Sequence, residues 1–291
     1  MSADERSLSL DFKSMLTLAL LTLALAAEPA DSDQEEARRD YVAKLAPAKA
    51  KQVEMLVGES NEKAEFRAEP LLRWSNPTAG SVHGEVFLWT YKQRPAAVAS
   101  IYRWYHPFMG CTFEVVSTST LPVTAREGSR TLWESNEPAI AWKPLEGAPL
   151  PAKTASSRLN QLRRLARRFS AELVDKRTSG EAVTRELRLL NQPMYRYASD
   201  DEGVIDGALF AFAESTDPEV LLLLEAVQRN DKTTWQYALA RMNADACEVR
   251  LDDKPIGGWE KIYEPWRHTK APYTLVGFKP EEVKVEKEAE K

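Results

Sequence analysis

Cysteine, histidine and glycine are scarce, with 2, 3 and 12 copies among 291 residues. There is no Cys-x-x-Cys and no His-x-x-x-His spacing, so the usual zinc signatures are missing. The sequence also lacks a Gly-x-Ser-x-Gly elbow, a P-loop and a Gly-x-Gly-x-x-Gly turn. Those absences remove the common signals for an elbow hydrolase or a nucleotide enzyme, and neither cofactor nor metal is expected. Basic charge is not in excess: 39 Lys and Arg face 44 Asp and Glu, a net charge of −5. A nucleic-acid partner needs a basic face, so none is expected. No apolar run after the N-terminus reaches the ~20 residues of a membrane-spanning helix, so the mature chain should have no integral span.

What is present begins with a targeting pattern. Arg6 and Lys13 precede the apolar run Met15–Ala24, and Ala24-Leu25-Ala26 stands ahead of Glu28-Pro29. A charged start, a short apolar core and an Ala-x-Ala site are the parts of a secretory signal. Asp4, Glu5 and Asp11 make the start less basic than usual, and the alternative is an uncleaved anchor. The expectation is an extracytoplasmic protein, periplasmic or secreted. Disulfides persist there, so Cys111 and Cys247 can pair, the alternative being two buried free thiols.

One stretch occurs twice. Pro193–Pro218 and Pro70–Pro95 align without a gap. Pro70, Arg73, Gly80, Gly84, Phe87 and Pro95 match Pro193, Arg196, Gly203, Gly207, Phe210 and Pro218. Trp74/Tyr197, Val82/Ile205 and Trp89/Phe212 are similar in kind. The expected fold class is therefore α+β: two repeated units related by a pseudo-twofold duplication, each a helix followed by an antiparallel β-meander. The expected organisation is a signal peptide at 1–27, a first unit at 28–143, a Pro-rich linker at 144–155, a second unit at 156–278 and a disordered charged tail at 279–291.

Apolar residues at helical spacing, Val42, Leu45 and Val53 among them, place a helix before Gly58, kinked or split by Pro47. A second helix is expected over Ser156–Asp175, from the stripe Leu159, Leu162, Leu165, Phe169 and Leu173. Hairpin loops are expected at Lys92–Pro95, Glu127–Ser129 and Glu214–Pro218. Val220–Val227 is almost continuously apolar, which predicts a central strand covered on both faces.

Several residue sets could carry function. Arg73 and Arg196 occupy equivalent Pro-x-x-Arg-aromatic settings and could hold an anion through their donor forks. Their presence in both copies is explained as well by a repeated structural job. Glu134 and Glu260 are matched acids that could form a proton-transfer pair if they meet. Tyr102, Trp104 and Tyr105 lie in an aromatic run with no second-half counterpart. Exposed, that run could bind a carbohydrate or a protein partner; otherwise it is core. Arg158, Arg163, Arg164, Arg167 and Arg168 make one helix basic, as for an anionic lipid surface or simply a solvated face.

The segments RELRLLNQPMYRY, DGALFAFAESTDPEVLLLLEA and WQYALARM resemble a family of uncharacterised secreted bacterial proteins with a signal peptide. The resemblance implies export and carries no activity, cofactor or catalytic residue. The leading expectation is a non-catalytic extracytoplasmic binding or scaffold protein, not an enzyme. The alternatives are a hydrolase of an extracellular polymer, with acids at the seam of the repeats, and a peripheral membrane protein. If residues 1–27 are an export signal, intact-mass measurement of the exported chain should find it lacking them. A mass that retains them contradicts the reading.

Overall fold

Two-residue periodicity governs most of this chain: strand makes up 54 % of it and helix 16 %. The computed structural model describes residues 29–175, 183–230 and 232–284. They fall into two units that divide between residues 41 and 42. The described part of the first is the polar beginning of helix α1 (Pro29–Lys51), where Arg38 pairs with Glu35. The second unit opens on the rest of α1 and holds every described strand. In chain order these are β1 (Glu54–Val57), β2 (Glu62–Lys63), β3 (Glu65–Ser75), β4 (Ser81–Tyr91), β5 (Arg94–His106), β6 (Gly110–Ser117), β7 (Val123–Glu127), β8 (Arg130–Ser135) and β9 (Lys143–Pro144). After helix α2 (Ala155–Ala166) come β10 (Phe169–Asp175), β11 (Val183–Leu189), β12 (Tyr195–Ser199), β13 (Val204–Glu214), β14 (Asp217–Arg229), β15 (Lys232–Arg241), β16 (Ala246–Leu251), β17 (Lys254–Trp259) and β18 (Tyr273–Phe278).

The pairing is antiparallel throughout and makes three sheets, one of them curled into a half-barrel. Four strands run β2-β1-β7-β8 and five run β18-β6-β5-β4-β3. Nine form the third, in the order β17-β16-β10-β11-β13-β14-β15-β9, with β12 also on β13. Side-chain alternation stacks them. Phe87, Trp89, Ala99, Ile101 and Phe113 face the four-stranded sheet and the α1 residues Val42, Leu45 and Ala50. The opposite face of the same strands, with Val86, Leu88 and Val98, meets Leu209, Leu221, Leu223 and Ala238 of the nine-stranded sheet. Val220, Leu222 and Leu224 point the other way, towards α2 and β10. β14 thus lies between β13 and β15 with both faces covered, as its apolar run predicts.

The α+β expectation of two helix-plus-meander units is overturned. The chain is mostly antiparallel β, and its sheets do not respect the proposed halves. β18, at the end of the second half, pairs with β6 of the first through Tyr273↔Val116. β9, from the first half, pairs with β15. A sheet edge left open exposes unpaired amides and carbonyls, and each of these strands covers an edge of the other half. The correspondence between the halves survives locally. Trp74 lies over Gly84, and Tyr197 over Gly207, so closely that a β-carbon at either glycine would collide with the ring.

Two helical expectations also change. α1 is not split at Pro47 and continues to Lys51, with Val42, Leu45, Ala46 and Ala50 buried along that stretch. The second helix ends at Ala166, and Phe169–Asp175 is strand. Phe169, Ala171 and Leu173 are buried in alternation, a period of two that the stripe of leucines obscured. The hairpins close on two residues: Lys92-Gln93, Gly128-Ser129 and Ser215-Thr216. At the C-terminus Pro280–Glu282 forms a 3-10 turn and Val283 is buried. The proposed signal segment lies outside the described residues.

One buried carboxylate joins the two large sheets. Glu225, in mid-β14, is fully buried. It accepts hydrogen bonds from Arg94 Nε (2.9 Å) and Nη2 (3.0 Å), Tyr197 Oη (3.0 Å) and Gln236 Nε2 (2.7 Å). Arg94 comes from the β4–β5 hairpin of the other sheet. Removing one partner of a buried pair strands the other charge and costs about 3–5 kcal/mol. Arg94→Met should lose stability on that scale in urea denaturation. Glu225→Gln should lose less, because Arg94 is 20 % exposed and can turn to water. The reverse order would contradict this account.

Candidate functional site

At one end of the stack, the five- and nine-stranded sheets part around a cavity of about 400 Å³. One wall is aromatic. Alternation along β5 puts Tyr102 and Trp104 on the cavity face, and Trp74 joins them from β3. The Trp74 and Tyr102 rings meet edge-on at 5.5 Å, and Trp104 meets Phe108 likewise at 5.2 Å. Trp74 is held by its seat on Gly84 and by its Nε1, which donates to Ser100 Oγ at 2.9 Å. Tyr263 and Trp266, 72 % and 57 % exposed, line the outer part.

The floor is acidic. Glu114 of β6, Glu214 of β13, Asp217 and Glu219 of β14, and Asp245 all line it. Most have a partner. Arg185 pairs with Glu214, and Lys261 Nζ lies 2.7 Å from Asp245 Oδ1. Tyr273 Oη donates to Glu114, and Asn76 hydrogen-bonds Asp217. Arg241 stands behind them, with its guanidinium on the carbonyls of Asn243, Asp245 and Glu260 and over the Tyr273 ring. Glu219 differs: it is 7 % exposed, and among the described residues its carboxylate has no hydrogen-bond donor and no ion pair. Asn243 gives its Nδ2 to the Glu219 carbonyl (2.8 Å) and to Cys247 Sγ (3.1 Å). Its buried Oδ1 has no partner.

These surroundings disfavour charge on the acids. Burial pushes Glu114 up to about 8, against the opposing Tyr273 hydrogen bond and Arg241 charge. Burial also raises Asp217 well above its ordinary value, reinforced by Glu114. Glu219 rises for the same first reason, then from the charges of Asp217, Glu114, Glu214 and Asp245. Tyr102 and Tyr273 are raised by burial and by Glu114. Among the described residues, no three His, Cys, Asp or Glu side chains are arranged to hold a metal.

The residues singled out in the sequence scatter. Tyr102 and Trp104 line the cavity, whereas Tyr105 turns to the opposite face and packs on the core beneath α1. Arg73 Nε pairs with Glu85, its cross-strand neighbour, at 2.7 Å. Arg196 grips Asp206 through Nε (2.8 Å) and Nη2 (2.6 Å), and Arg158 of α2 reaches the same carboxylate at 2.8 Å. Each conserves a local clamp within its own sheet, so the paired anion seat is not formed. Glu134 lines a second cavity of about 340 Å³ beside Trp133 and Trp266. Glu260 is not among that lining, and its carbonyl serves Arg241. No described contact joins the two acids. The disulfide expectation is corrected: Cys111 and Cys247 are both free, one in the core under α1 and the other in the core beside α2. Burial raises both thiols, Cys247 to about 11, which leaves them unreactive.

No family model, curated protein or solved structure matches this chain. The site therefore rests on its own geometry. Glu114, Asp217, Glu219 and Asn243 escaped the sequence reading. Their signal was an acid inside an apolar strand, as in Phe113-Glu114-Val115 and Pro218-Glu219-Val220, where a buried charge demands an explanation.

The raised acids link stability to pH. An unfolded glutamate loses its proton around 4.5, whereas folded Glu114 keeps its proton to about 8. Between those values the folded state binds more protons, so stability falls as pH rises. Asp217 and Glu219 act in the same direction. Urea midpoints measured across that window should decline with pH, and Glu114→Gln should flatten the decline. An unchanged slope in the variant would remove Glu114 from this account.

Proposed function

We propose that this chain is a non-catalytic extracytoplasmic binding protein and that the aromatic cavity is its ligand seat. The observation that carries the reading is a cavity of about 400 Å³ in which an aromatic wall shares the lining with the Glu219 carboxylate, a group with no hydrogen-bond donor among the described residues. A ligand that donates to this carboxylate gains a charge-assisted hydrogen bond. Apolar walls with a few convergent polar groups are the usual make-up of a small-molecule site. The extracytoplasmic part rests on the N-terminal pattern.

The other two readings have less support. A hydrolytic acid pair works with one carboxyl protonated and one ionised. Here Glu114, Asp217 and Glu219 are all displaced towards the protonated form, and Glu134 and Glu260 share no contact. For membrane docking, α2 would need free cations beside free leucines. Here Arg158 binds Asp206 and Arg163 binds Gln192, Arg164 is exposed, and Leu162 and Leu165 are buried, so no leucine face is left beside the arginines. Among the described residues, no helix is long and apolar enough to cross a membrane.

Ligand-observed NMR with a small-molecule library tests the proposal. Hits should lose their signal in Trp104→Ala, at unchanged melting temperature. If no hit depends on Trp104, the cavity is not the binding site.

A further inference from the structure

The cavity's chemistry narrows its ligand, given that the cavity is the binding seat. Its carboxyls that lack a cation become acceptors once ionised. Glu219 has neither donor nor cation, and Asp217 has only the Asn76 amide. The basic side chains nearby are already committed: Lys261 to Asp245, Arg185 to Glu214, and Arg241 to three carbonyls. An anion would therefore meet carboxyls with no free cation to offset them. A neutral polyol could donate to the acceptors, but it would leave two carboxyls short of positive charge.

The aromatic wall points the same way. Ring faces carry negative potential and attract cations, Trp most strongly. Trp74, Tyr102 and Trp104 lie on the same cavity as Glu219 and Asn243. Trp104 and its neighbour Phe108 also offer flat apolar area for the rest of a ligand.

We propose that the cavity binds a protonated primary or secondary amine that carries an apolar or aromatic body. The ammonium is seated between Glu219 and Asp217, and the body lies against Trp104. The bound cation supplies what the site lacks, a positive charge beside two carboxyls that have none of their own. Charge-assisted hydrogen bonds of this kind are about twice as strong as neutral ones. Because Glu114, Glu214 and Asp245 also face Glu219, with Lys261 and Arg241 as the nearby cations, binding should strengthen as pH rises and the acids release their protons.

Isothermal titration at about pH 8 with tyramine and its neutral counterpart tyrosol separates charge from shape. Tyramine should bind at least about ten-fold more tightly than tyrosol. Glu219→Gln should remove that preference; it takes away a buried charge, so the variant should fold, and a melting curve confirms this. Asp217→Asn is the second variant and should act in the same direction. Glu134→Gln, outside the cavity, should change nothing. Equal binding of both probes, lost together in Trp104→Ala, would keep the cavity as a ligand seat and overturn the cation. Failure of tyramine to bind, or a preference for it that survives Glu219→Gln, would overturn the proposal outright.

Discussion

Glu225 is the constraint on which the stacking of the two large sheets depends. A carboxylate in the middle of a fully buried strand is untenable without donors. Here the donors arrive from three directions: Arg94 from the facing sheet, Tyr197 from β12 and Gln236 from β15. Arg94 must reach across, so the β4–β5 hairpin is brought over β14 and cannot slide without breaking a bidentate pair. The same guanidinium lies over Trp142, 4.9 Å from its centroid, and approaches Glu202. Apolar contact between the sheets is extensive but non-directional. The Arg94–Glu225 pair gives that contact a register.

The candidate site sits where the stacking loosens. Apolar side chains fill the middle of the sandwich, Leu88 and Val98 against Leu221 and Leu223. Nearer the β13–β14 turn, the inward positions are Asp217 and Glu219, and the facing positions are Tyr102, Trp104 and Glu114. These are large or polar groups that do not interdigitate, and a cavity results. The elements around it are rigid strands, whereas its outer lining comes from the 261–266 segment, so its inner wall is well fixed and its mouth is built from loop. Such an arrangement suits recognition, with geometry set by the sheets and access set by the connection.

Arg73 and Arg196 show how a repeated residue can be structural. In each block an aromatic ring covers a glycine on the next strand, and the preceding arginine binds a carboxylate on that strand. The motif fastens a strand to its neighbour. It says nothing about a ligand, and the pocket forms from residues outside it or, like Trp74, from residues that point away from the clamp.

Sequence alone determined the local elements of this protein. The apolar run marked β14 as central, and turn residues marked the hairpins. Those signals are local because side-chain direction in a strand depends only on parity. Parity also placed Tyr102 and Trp104 together and Tyr105 apart, although the sequence could not say which face met a cavity. Helix α2 and strand β10 could not be separated, since Leu165, Phe169 and Leu173 fit either period. Only the tertiary structure decided which strands share a sheet, because antiparallel pairing between β6 and β18, or β9 and β15, leaves no mark within either strand. It alone brought Glu114, Asp217, Glu219 and Asn243 together across 129 positions of chain. Their common environment, low in water and poor in free cations, is a property of the fold, and it gives ordinary acids their altered chemistry.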